Sequence, residues 1–468
     1  MQFITDYRLE DYILKTKWDD LPSDVQERTL RCSVDLVGAL ILGSQGKQYE
    51  VGVKVAKRIG AVGDIPVLGR TDTFNLLGAS IAFSHAANSF DIDDGYNMVK
   101  GHPGSSFIGG VLAAALEKNC TYAEYLTTLS ICYETAIRWG LVEQKHYGFL
   151  HSTGTYGAFG TTAGVGRLRR LSREQLNNAL SMADYHAPLT PVMRAVEYPS
   201  MNKDGVPFGS LVGTMAIIET EEGETGKTHL LEMPEYREYL DSLGERYYIR
   251  ELYFKPFTCC RWAHQPNKAC IDLMRENDIK PGQINHVTVH TFDSAAKLSK
   301  AVPHNTDEAQ YNIAFPVAAA IVNGDVGFNQ VKDDAVSDPA VLSMMERLSF
   351  EVDPDMEKEF PEKRLAWVEM ELSDGRVLRS KVYAAPGEHT DPELSFDWIK
   401  DKFKRVTAPI ISPEGQDKIL QLLTTYSEMP MREVIGTVNC FYLPQRTKGM
   451  ENCRWEKRKG YSEREKTK

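Results

Sequence analysis

Between residue 11 and about residue 220, apolar positions recur at spacings of three and four, most plainly over 29–42 and 122–139. That period predicts successive helices with little strand. The stretch GTYGAFGTTAGVG (154–166) is crowded with small residues. A phosphate loop or dinucleotide fingerprint needs a hydrophobic strand feeding the glycine turn, and none precedes this run. It is expected to be a helix whose small residues admit a neighbouring backbone, and no nucleotide cofactor is indicated.

After residue 270 the period changes. INHVTVHTF (284–292) alternates apolar and polar residues, and WVEMELSDGRVLRSKVY (367–383) holds two such runs joined by a turn at Asp374-Gly375, so a strand and then a hairpin are expected. Between them EAQYNIAFPVAAAIVNG (308–324) predicts one apolar helix ended by glycine. Helical patterns return at 396–404 and 417–426, too short for a core of their own, and are expected to pack back onto the N-terminal body. The fold class read from the sequence is mainly α: a large all-helical domain (1–269 and 406–443) with an inserted smaller α+β domain (270–405). A tail at 444–468, with nine Lys and Arg and no apolar period, is expected to be disordered.

Composition narrows the function. At 468 residues the chain exceeds the roughly 250–300 at which one core stops growing. Its 42% hydrophobic and 25% charged residues describe a globular protein. A net charge of −11 argues against nucleic acid or an anionic membrane as partner, because both demand a positive surface. The N-terminus lacks a basic region followed by an apolar core, and no stretch approaches the ~20 apolar residues of a membrane span, so the cytoplasm is the expected compartment. The eight cysteines contain no C-x-x-C pair, which is poor spacing for zinc or iron–sulfur, and reduced thiols are expected.

The candidate chemistry sits in four polar clusters. In SFDIDDGYNMVKGHPGSS (89–106), Asp91, Asp93 and Asp94 precede His102. Three carboxylates in four residues repel one another and, if buried, require cations, donors or a retained proton. A solvated helix-capping turn and a divalent-metal site are the other readings of that cluster. KHYGFLHSTGTYGAFG sets His146 and His151 before a turn that opens a helix, with His151 the better candidate. MNKDGVPFGSLVG carries Lys203, and YFKPFTCCRWAHQPNKA carries Lys255, Arg261 and His264. Arginine grips a carboxylate bidentately and lysine offers a compact charge to a developing enolate-like anion.

Taken in order, DIDDGYNMVKGHPG, YETAIRWG, HSTGTYGAFG, FKPFTCCRWAH, DEAQYNIAFPVAAAIVNG and APGEHTDP resemble the MmgE/PrpD family over about residues 5 to 435. The family includes 2-methylcitrate dehydratase, cis-aconitate decarboxylase and iminodisuccinate epimerase. The resemblance implies a helical domain built from both chain ends, a smaller α+β domain, a pocket between them, a homodimer, and no cofactor or metal. It also implies a pocket lined by Asp91, His102, His151, Lys203 and His264. Beside these, Asp94, Lys255 and Arg261 are expected to bind the substrate. Three positions depart from the pattern: Gly95 stands where threonine is usual, Asn88 where histidine is usual, and Phe315 where the decarboxylase branch has tyrosine. The last suggests a missing hydroxyl and makes decarboxylation the least favoured activity.

The expected chemistry is removal of a proton α to a carboxylate of a small di- or tricarboxylic acid such as 2-methylcitrate, by His102 or His151 with the other as acid. Asp91 is expected to favour the imidazolium form of a histidine. Loss of a β-hydroxyl would give a dehydratase, and return of the proton to the opposite face an epimerase. A non-catalytic binding scaffold and a metal-dependent hydrolase using the acidic cluster with His102 are the readings from other classes.

Overall fold

A computed structural model describes Phe3 and residues 6–443, so the expected disordered tail lies outside the described residues. The N-terminal half is a packed set of helices: Ser23–Gly43, Leu76–Ala87, Pro103–Lys118, Tyr122–His146, Gly154–Leu168 and Val206–Glu221. A two-stranded ladder, Ile65–Pro66 with Thr73–Phe74, interrupts them. Local chemistry sets their starts: Thr121 accepts the amide of Glu124 at the head of Tyr122–His146, and Pro103 opens Pro103–Lys118 where no amide is needed. Among the described residues no helix is long and apolar enough to cross a membrane.

The small-residue run at 154–166 does form a helix, and its glycines are there for contact. A Cβ on Gly157 would stand 2.6 Å from the Ser106 side chain, one on Gly160 2.8 Å from Phe107, and one on Gly164 2.5 Å from Cys132. Three helices therefore meet at backbone distance, which fixes Pro103–Lys118 and the site at its N-terminus.

The sheet of the second half has the strand order Leu348–Val352, Ile284–Thr291, Leu365–Leu372, Val377–Arg379, and Tyr383–Ala384 also pairs with Leu365–Leu372. Ile284–Thr291 runs parallel to Leu348–Val352 and antiparallel to Leu365–Leu372, with Val289 opposite Val368 and Val287 opposite Met370. The single helix expected over 308–324 is instead two, Thr306–Gln310 and Ala314–Asn323. Pro316 explains the break: in a continuous helix it would have no amide for the Asn312 carbonyl and its ring would strike it. The Asn312 side chain caps the new start by accepting the Phe315 amide at 2.8 Å.

Helix Phe396–Thr407 packs on Ser23–Gly43, where the Lys402 ammonium lies 2.5 Å from Asp35 Oδ1 and 2.6 Å from the Ile92 carbonyl. The expectation of uniformly reduced thiols needs one correction. Cys440, half-buried at the end of the last helix, is disulfide-bonded, whereas Cys32, Cys120, Cys132, Cys259, Cys260 and Cys270 are free.

Candidate active site

His102 is the last residue before helix Pro103–Lys118, and its ring is enclosed by carboxylates from two turns. Nδ1 lies 3.2 Å from Asp93 Oδ2 and 3.1 Å from the Asp94 carbonyl oxygen. Nε2 lies 3.4 Å from Asp91 Oδ1 and 3.3 Å from Asp204 Oδ2. Lys255 Nζ stands 2.8 Å from Asp91 Oδ2, donates to the Asp91 carbonyl at 3.1 Å, and lies 3.5 Å from His102 Nε2. Three carboxylates thus surround two cations, all buried.

The electrostatics follow from that count. Burial and Lys255 push the His102 pKa down, Asp93 and Asp91 push it up, and the net shift is upward. Burial opposes the charge on Asp93, but His102 and Lys255 hold its carboxyl well below the usual range. Burial raises the Asp204 carboxyl above its ordinary value despite His102. The phenol of Tyr311 donates to Asp204 Oδ2 at 2.9 Å, extending the chain to Tyr311–Asp204–His102.

The backbone is bent to make this possible. Asp91 and Lys203 both adopt left-handed conformations, with φ of 51° and 40°, each costing about 1–3 kcal/mol and kept only by surrounding bonds. Lys203 Nζ donates to the carbonyls of Asn88 and Ser89 and to Gln310 Oε1, with Asp307 Oδ1 at 3.4 Å. Three donors meet three acceptors, so Lys203 ties the 203–205 turn to the turn carrying the aspartates. Close approach locks that turn on its other side: a Cβ on Gly154 would stand 2.3 Å from the Gly205 carbonyl oxygen.

Asp91, His102, Lys255 and Lys203 therefore come together. Asp94 faces away from the ring: its carboxylate accepts the Tyr133 hydroxyl and the Gly104 amide, the latter at 3.1 Å, and burial pushes it up to about 7. Arg261 is engaged by the carbonyls of Pro386 and Ala385 and by Glu388 Oε1, the last at 2.8 Å. His264 is neutral, pushed well down by burial and then by Arg261 and Lys255, and its Nε2 donates to the Cys259 carbonyl at 3.0 Å.

The His151 ring does not touch the His102 cluster. It packs on Phe149 and Tyr147, with ring centres 4.6 and 5.1 Å away, and neither ring nitrogen has a hydrogen-bond partner among the described residues. Burial lowers its pKa to about 4. Its segment is tied to the cluster through a neighbour: Thr153, two residues on, accepts the His102 amide on its side-chain Oγ1 at 3.2 Å. His146 is elsewhere, its Nδ1 2.8 Å from the Tyr236 hydroxyl.

The three departures from the family pattern acquire physical meaning. Gly95 pairs with Tyr253 through two backbone hydrogen bonds, and a Cβ on it would stand 2.2 Å from the Tyr253 ring. A threonine would not fit there. Asn88 Nδ2 donates to Asp93 Oδ1 at 3.0 Å, stabilising the carboxylate that faces His102. Phe315 is buried in helix Ala314–Asn323 and brings no hydroxyl; four residues earlier, in the break between the two helices, Tyr311 brings one to Asp204. Sequence reading also passed over Asp93 and Asp204 as residues facing His102. Asp204 adjoins Lys203 in a motif already singled out, but nothing in spacing could show which of the two side chains turns toward the histidine.

Asp91, His102 and Asp204 offer ligand atoms within 4.8 Å of one another, a spacing that a divalent ion could bridge. The donor set fits such an ion poorly, because the Lys255 ammonium already supplies a fixed cation to Asp91. Asp94, one of the four groups considered for a metal, directs its carboxylate to Tyr133 and Gly104 instead.

The MmgE/PrpD N-terminal domain matches residues 7–241 and the MmgE/PrpD C-terminal domain matches residues 257–427. Among curated proteins, the cis-aconitate decarboxylase-like protein oryM of Aspergillus oryzae is 21% identical over 454 residues, covering 87% of this chain and 92% of the relative. A cis-aconitate decarboxylase of Aspergillus terreus is 20% identical over 462 residues, covering 89% of this chain and 93% of the relative. With both domains matched in order, and the aspartate, histidine and lysine segments of the resemblance gathered around one ring, the chain belongs to the MmgE/PrpD family.

Proposed function

We propose that this protein is a cofactor-independent lyase that removes a proton next to a carboxylate of a small di- or tricarboxylic acid and expels a β-hydroxyl, as a hydro-lyase. The observation that carries the reading is the enclosure of His102 by Asp91, Asp93 and Asp204, which favours its imidazolium form. His102 is then the acid that protonates the departing hydroxyl. His151, kept neutral by burial and with both ring nitrogens unpartnered, is the base. Separating the charge states of two histidines in this way assigns the proton donor and the acceptor. Lys255 and the Tyr311–Asp204 pair hold the imidazolium in place while the substrate carbanion develops.

Decarboxylation is a second reading, favoured by the names of the relatives and by the Tyr311 hydroxyl beside the site. Epimerisation of a succinate-like acid needs the same two histidines and no leaving group. Incubation with 2-methylcitrate or cis-aconitate separates the first two: an unsaturated product with no released carbon dioxide supports the hydro-lyase, and carbon dioxide release replaces it with a decarboxylase. Turnover of neither, together with full activity of His151→Gln on whichever acid is found, would remove the proposed histidine pair.

The reading includes a homodimer and a helical body from both chain ends carrying an α+β insertion. Because helix Phe396–Thr407 packs on Ser23–Gly43, the insertion is better ended before residue 396 than at 405.

A further inference from the structure

The proposed chemistry needs a cation for the substrate's carboxylate, and the cations gathered at the site are already engaged. Lys203 spends three donors on Asn88, Ser89 and Gln310. Lys255 is bound to Asp91, and Arg261 to Pro386, Ala385 and Glu388. Releasing any of them would leave a buried carbonyl or carboxylate unpaired, a penalty of the order that the new contact would return.

Beside the site lies a cavity of about 440 Å³, whose wall includes Ser152, Thr190, Arg194, Asn202 and Phe208. Its lining also takes in Lys203 and Gly205, the residues on either side of Asp204, whose carboxylate faces His102. On the other side, Ser152 follows His151 directly, and the Ser152 amide donates to the Thr190 carbonyl at 2.8 Å. The cavity is thus flanked by the turn that follows His151 and by the turn that carries Asp204. The Arg194 guanidinium has no hydrogen bond or ion pair among the described residues. It is exposed, in a protein of net charge −11 with carboxylates to spare.

We infer that this cavity is the carboxylate-binding compartment of the site, with Arg194 gripping a substrate carboxylate in a two-pronged ion pair. Asn202 and the hydroxyls of Ser152 and Thr190 complete the polar wall, and Phe208 and Ala195 cover the short carbon chain. The class of ligand is a small aliphatic di- or tricarboxylate, too compact to need more room than the cavity gives. This rests on the proposed function, since it supplies the anion that reading requires.

The test is calorimetric titration of the full chain with tricarballylate, a tricarboxylate that has no hydroxyl to lose. Wild type is expected to bind it, Arg194→Gln to bind it about ten- to a hundredfold more weakly, and Arg194→Lys to fall between, at unchanged melting temperature. Lys227→Gln, in a different cavity, is the control and is expected to bind as wild type does. Equal affinity of Arg194→Gln and wild type overturns the assignment of Arg194 while leaving the proposed function standing. Absence of binding to wild type overturns both.

Discussion

The Asp204 carboxylate stands 3.3 Å from Nε2 of His102, joining the turn before helix Val206–Glu221 to the turn before helix Pro103–Lys118. That contact places a Tyr311-bonded carboxyl on the ring nitrogen opposite the one facing Asp93. Asp204→Asn is therefore expected to lower turnover about ten- to a hundredfold and Tyr311→Phe by less, because the second removes only the donor to the carboxylate. Histidine NMR titration supplies the readout that mere destabilisation would not move: the His102 pKa should fall in Asp204→Asn. An unchanged His102 titration with unchanged turnover would reduce Asp204 to a packing role.

His151 predicts a pH effect of definite sign. Folded, its ring holds a proton only below about 4, whereas the unfolded chain binds one near 6.5. As pH falls through that window the unfolded state takes up the extra proton and stability drops. His151→Gln lacks the titrating ring, so its melting temperature should fall less than that of wild type between pH 6.5 and pH 4. Parallel curves for the two proteins would contradict a buried neutral imidazole.

Lys402 and Asp35 are buried together, and burial pushes the Asp35 carboxyl up to about 6 even with the ammonium beside it. Lys402→Met leaves that carboxylate without its cation and frees the Ile92 carbonyl between Asp91 and Asp93. We expect a loss of about 3–5 kcal/mol in denaturant unfolding. The loss should be greater at pH 8 than at pH 5, since an isolated buried carboxyl is tolerated only while it keeps its proton. Asp35→Leu combined with Lys402→Met should recover most of it.

Much of this architecture was legible because it rests on period and on small residues. The helix at 154–166 could be read from its glycines, and the strand at 284–291 and the hairpin turn at Gly375 from alternation and turn chemistry. The break at 311–313 was written in Pro316 but was outweighed by the apolar period around it. In the site, Asp91 and His102 lie within twelve residues of one another in an acidic cluster, which made that half visible. Asp204 and Tyr311 were not, because their approach depends on how the left-handed turn at Lys203 and the helix break each aim a side chain, a matter of tertiary direction that no local spacing encodes.

Gly104 offers a check on the support behind the ring. A Cβ there would stand 2.2 Å from Asp94 Oδ2 and 2.4 Å from the Tyr133 hydroxyl. Gly104→Ala is expected to cost about 1–3 kcal/mol and to reduce turnover, because separating Asp94 from Tyr133 shifts the carbonyl that receives His102 Nδ1. Thermal unfolding and turnover measured side by side would show the coupling, and full activity at full stability would refute it.

The central claim is that His102 carries a proton to or from a carbon compound bearing carboxylates. It is tested most directly by NMR of citrate-like and succinate-like acids in heavy water with wild type and His102→Gln. Wild type should exchange, or eliminate across, the hydrogen next to a carboxylate, and the folded variant should do so at least about a hundredfold more slowly. Exchange by the variant at the wild-type rate, or none by wild type with any acid of either class, would contradict the account.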